Sequence, residues 1–198
     1  MEQNVSMKIN ELPSPTWNWL KVNETPIKWS NKIEPCEIAA EGDAVSTETE
    51  QLSDIETGAG READAIFATE NTAKYQILAD NAGQDKTVRL HISGKKDAHT
   101  AGCVEIVAKE NSTLTVVMDS RVAPDATKEE DSTAEASLAV RVRMKVESGA
   151  SVRLVQVQMP QEHETLLSDI GGNLIGEGAK VEYIQLFLGK GNLYSGCR

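Results

Sequence analysis

The 198-residue sequence has no apolar run long enough to cross a membrane, and its first residues, MEQNVSMKIN, lack the apolar core of a secretory signal. A chain of this kind is expected in the cytoplasm and off the membrane. Cysteine is scarce: Cys36, Cys103 and Cys197 are widely scattered, which suits a reducing compartment better than a disulfide framework. Basic residues are outnumbered, giving a net charge of −11. Ten of those eleven charges come from Glu34 to Glu70, where eleven acids face one base, Arg61. The remainder is near neutral and offers no basic face for phosphates, so nucleic acid is not an expected partner. Catalytic signatures are missing too. Gly94–Lys95 and Gly189–Lys190 lack the upstream glycine of a phosphate loop, and no GxSxG, HExxH or CxxC occurs. Any ATP hydrolysis would belong to another chain, and no enzymatic activity is expected of this one.

A repeat is present instead. SVRLVQVQM (Ser151 to Met159) aligns with KVEYIQLFL (Lys180 to Leu188) at a shift of twenty-nine residues. Val152 falls on Val181, Leu154 on Tyr183, Val155 on Ile184, Gln156 on Gln185, Val157 on Leu186, and Gly149 on Gly178. An earlier copy, STLTVVMD from Ser112, matches at a shift of thirty-eight; the polar insertion Ala123 to Glu135, expected as a surface loop, accounts for the difference. A period of this size means stacked coils, a β-solenoid. An antiparallel sandwich also has short strands and regular turns, but it does not explain a glycine kept at one repeat position. The adjacent apolar pairs Leu154–Val155 and Tyr183–Ile184 change the phase of the alternation, which predicts a bend turning both halves of each strand inward.

Three segments follow. Residues 1–33 hold Trp17, Trp19 and Trp29 with Pro13, Pro15 and Pro26, and read as an extended arm anchored by its tryptophans. Residues 34–73 read as an acidic linker, with short helices around Glu48–Glu56 and Glu62–Thr69 or none. From Tyr75 alternation begins, and 74–198 reads as the β core, expected to be incomplete at its C-terminus. Its cleanest strand places Val140, Val142, Met144 and Val146 inward, with Arg141, Arg143, Lys145 and Glu147 toward water or a partner. The stretch DIGGNLIGEG falls out of phase by one and calls for a bulge or a tight glycine turn.

Thiolate and imidazole suit iron and iron–sulfur clusters, so Cys103 and His99 (in HTAGC) and Cys197 (in SGCR) are the candidate metal ligands, with His91, His163 and Cys36 beyond them. Beside Val104 and Ile106, Cys103 equally reads as a small buried hydrophobe. Three widely spaced thiols do not supply a four-thiolate site, so no cluster is expected to bind this chain stably.

LPSPTWNWLKVN, HISGKKDAHTAGCVEIVAKENSTLTVVMD, LAVRVRMKVESGASVRLVQVQM and GAKVEYIQLFLG together resemble the SufB/SufD family of iron–sulfur cluster assembly proteins, most closely its short SufD-like members. The resemblance implies a right-handed parallel β-helix and a non-enzymatic scaffold role in the SUF system beside a SufC-type ABC ATPase. It also implies pairing with a SufB-like subunit or a second copy through the β-helix, with iron or a cluster held transiently in the full complex. Family members continue through further coils into a helical segment that docks the ATPase. Their cluster-related Cys and His lie mainly there, so this chain is expected to be C-terminally truncated, with an open last coil into which Ile184, Leu186 and Leu188 point. The alternative from another class is a carbohydrate-active or polysaccharide-binding β-solenoid. Such a protein calls for acids clustered on one coil face and aromatic platforms, whereas the coil faces here carry few aromatics and the acids lie outside the repeats.

Overall fold

In the computed structural model, residues 4–10, 24–43, 52–68, 70–80, 82–123 and 135–198 are described. The fold is mainly β, with two largely parallel sheets. The first sheet runs β12 (Lys180–Phe187), β10 (Ser151–Gln158), β8 (Thr113–Arg121), β6 (Asp85–Ser93), β4 (Glu37–Gly42). The second runs β13 (Asn192–Cys197), β11 (Glu164–Leu174), β9 (Ala136–Val146), β7 (His99–Ala108), β3 (Glu34–Pro35), with β5 (Ala73–Ala79) also on β7. From β6 onward, successive strands alternate between the sheets, and from β7 onward each lies parallel beside the strand two before it. Valine-rich runs with a period of two suit this arrangement, because each strand lays one face on the opposite sheet. Val88, Leu90, Leu114, Val116, Val152 and Leu154 of the first sheet meet Val104, Ile106, Leu138, Val142 and Ile170 of the second in one dry core.

The repeat register read from the sequence is the register of the strands. Val152 pairs with Val181 and Gln156 with Gln185 in parallel, and Leu114, Val116 and Val117 pair with Val152, Leu154 and Val155. Gly149 and Gly178 occupy equivalent turns at φ +67° and +75°, a backbone conformation that a side chain resists. The out-of-phase stretch forms a turn, not a bulge. β11 pairs with β9 without interruption from Glu164–Ala136 to Leu174–Val146, so the extra residue falls in the turn before β12.

The expected bend is absent. β10 keeps strict alternation: Val152, Leu154, Gln156 and Gln158 are buried, while Arg153, Val155 and Val157 face out. β12 follows suit, so Ile184, Leu186 and Leu188 point outward, 36%, 45% and 68% exposed. The strand stays straight, and its polarity inverts midway.

β structure also begins before Tyr75. β1 (Asn4–Ile9) and β2 (Thr25–Ser30) form an antiparallel hairpin, and Met7, Ile9, Ile27 and Trp29 pack against Ala101, Ala139 and Leu167 on the outer face of the second sheet. Trp29, 1% exposed, helps seat the β1–β2 hairpin on the sheet, so the described part of residues 1–33 is a hairpin and not a single extended arm. Trp17, Trp19, Pro13 and Pro15 lie outside the described residues, as does the insertion from 124 to 134. Residues 34–73 are not simply a linker. β4 pairs antiparallel with β6 and closes the first sheet at one end. Residues 52–68 form a strap over the second sheet, with a 3₁₀ turn (Arg61–Ala63) and one helical turn, α1 (Asp64–Phe67). Ile66 and Phe67 bury against the hairpin side, while Leu52 and Ile55 bury against Val107 and Leu78.

The strap is tied down by a buried ion pair. Arg141 (3% exposed) bonds Asp169 (0%) at 2.7 Å and Asp64 at 2.8 Å, and its guanidinium lies 4.1 Å over the Phe67 ring. Asp169 also accepts the Ala59 N–H at 2.8 Å and the Thr57 hydroxyl at 2.7 Å. Arg143 donates to the Ile55 carbonyl at 3.1 Å. The outward cations of β9 thus meet a segment of their own chain. Gly171 lets the strap approach, since a Cβ there would run into the Glu56 carbonyl. No helix among the described residues is long and apolar enough to cross a membrane.

Candidate protein-interaction face

The three candidate metal ligands are not brought together. His99 and Cys103 lie four positions apart on β7, about 13 Å at the rise of an extended strand. His99 Nδ1 meets the Ser137 hydroxyl at 2.6 Å, and its ring sits 6.4 Å from Trp29. Cys103 is half-buried on the outer face, in a row with Lys74, Arg141 and Asp169. Burial raises its pKa, against the lowering pull of Arg141 and Arg143. Cys197, on β13, is exposed, and burial of its surroundings still raises its thiol. Cys36 is the most withdrawn, its pKa pushed up to about 12 by desolvation. Among the described residues no group of three His, Cys, Asp or Glu is placed to hold a metal.

A polar cleft of about 330 Å³ lies between strap and sheet. Several of its charges are already engaged: Arg198 reaches Glu56 at 2.8 Å, Arg61 lies 3.8 Å from it, and Asp64 takes Arg141 from the sheet.

The last turn of the fold is built differently from the rest. In the first sheet, the inward column Leu90–Met118 continues as Gln156 and Gln185. In the second, Val140 continues as Ser168 and Ser195. The polar groups satisfy each other: Gln156 Oε1 accepts the Ser168 and Tyr183 hydroxyls at 2.9 Å, and Gln185 donates to Gln158 at 2.6 Å and to Ser195 at 3.1 Å. Burial raises the Tyr183 pKa, which keeps its hydroxyl a donor. Bonded this way, buried amides cost little; left unpaired they cost heavily.

Apolar side chains displaced from the inside occupy the outside. Val117, Val155 and Ile184 form one outward row; Val157 and Leu186 lie in the next. Of the seven exposed large apolar residues among those described, three (Ile184, Leu186, Phe187) lie on β12 and Leu188 follows it directly, while Leu174 and Ile175 lie at the end of β11 and in the turn that leads to β12. β12 is also the edge of the first sheet, so half of its backbone N–H and C=O groups point away from the stack. Exposed apolar side chains therefore lie on and beside an edge strand among the described residues. The sequence pattern carried this signal in the pair Tyr183–Ile184, but the bend assigned to it hid the outward face.

Compared with known proteins, the chain matches no family model, no curated protein and no solved structure.

Proposed function

We propose that this chain is a non-enzymatic scaffold subunit of iron–sulfur cluster assembly, a SufB/SufD-type protein of the SUF system. In this reading the two sheets are faces of one right-handed parallel β-helix, and the protein works in the cytoplasm beside a SufC-type ABC ATPase. It pairs with a SufB-like subunit or a second copy through the last coil. The observation that carries the reading is the concentration of exposed apolar side chains on β12, the unpaired edge of the first sheet. Exposed apolar surface on an edge strand suits a subunit that acts by docking. In this reading iron or a cluster is cargo held by the assembled complex.

Co-expression with a SufC-type ATPase and a SufB-like subunit, followed by affinity capture and size-exclusion chromatography, is the test. Co-elution of a stoichiometric complex is expected. A folded chain that captures neither protein, or that is retained instead on an acidic polysaccharide column, overturns the assignment.

A further inference from the structure

We draw no further inference here: the strongest candidate, the polar cleft between the strap and the second sheet, is lined in part by charges that strap and sheet satisfy between them, and nothing in the structure points to a ligand for it.

Discussion

Replacing Arg141 by methionine leaves Asp169, which has no solvent exposure, without the cation it pairs with among the described residues. The Thr57 hydroxyl and the Ala59 N–H remain as donors, but both belong to the strap that Arg141 helps to hold through Asp64 and Phe67. Removing one partner of a buried ion pair costs about 3–5 kcal/mol, much of it the penalty of an uncompensated charge. For a chain of this length that lowers Tm by roughly 6–20 °C. Urea denaturation followed by circular dichroism measures the loss, and hydrogen exchange at Ala59 and Gly58 reports whether the strap loosens first. Asp169→Asn in the Arg141→Met background should recover part of the stability, because an amide keeps the Thr57 contact and removes the stranded charge. A loss below about 1 kcal/mol for Arg141→Met, the value of an exposed pair, would refute the claim that this pair anchors the strap.

Gln156→Leu deprives the buried Ser168 and the Tyr183 hydroxyls of their acceptor; despite the added apolar surface it should destabilise by about 1–3 kcal/mol in chemical denaturation. The thiols should react with Ellman's reagent at pH 8 in the order of their exposure, Cys197 first and Cys36 only on unfolding, and Cys197→Ser should abolish the fast phase. Burial raises the Glu164 pKa above its ordinary 4.5, so the folded state holds this proton more tightly than the unfolded one. Its favourable contribution is therefore complete below 4.5 and is lost as pH rises through the folded value. Denaturation midpoints of wild type and Glu164→Gln, compared between pH 4 and 7, should diverge in that window.

Where one face of a strand is apolar and the other charged, as in Val140 to Glu147 or Val152 to Leu154, the sequence carried both register and orientation. The stacked glycine turns were legible for the same reason, since only a few residues tolerate positive φ. What alternation did not carry was the second half of β10 and β12, where a glutamine inside is satisfied by partners ten to twenty-seven positions away. A local pattern holds no record of such partners, so by pattern alone Val155 and Val157 read as inside. The strap escaped for a related reason: its small and acidic residues read as solvated, and the outward charges of β9 that hold it, Arg141 and Arg143, read equally well as facing water. The candidate metal ligands were chosen by chemistry alone, and strand geometry set them apart.

The inverted half of β12 leaves that strand divided over which way to sit. Its first half, Lys180 to Tyr183, favours the native register, because a slip of one residue would drive Lys180 and Glu182 into the core. Its second half leans the other way: the same slip would bury Ile184 and Leu186. What resists it there is the hydrogen bonding of Gln185 to Gln158 and Ser195. Period-two strands turn every side chain over on a one-residue shift, so the two halves are locally frustrated against each other. The ladder of amides acts as a register pin, trading some hydrophobic stability for a unique alignment. Loss of that pin should show first as heterogeneity, with β12 sampling two alignments while the strands from β6 to β10 hold one.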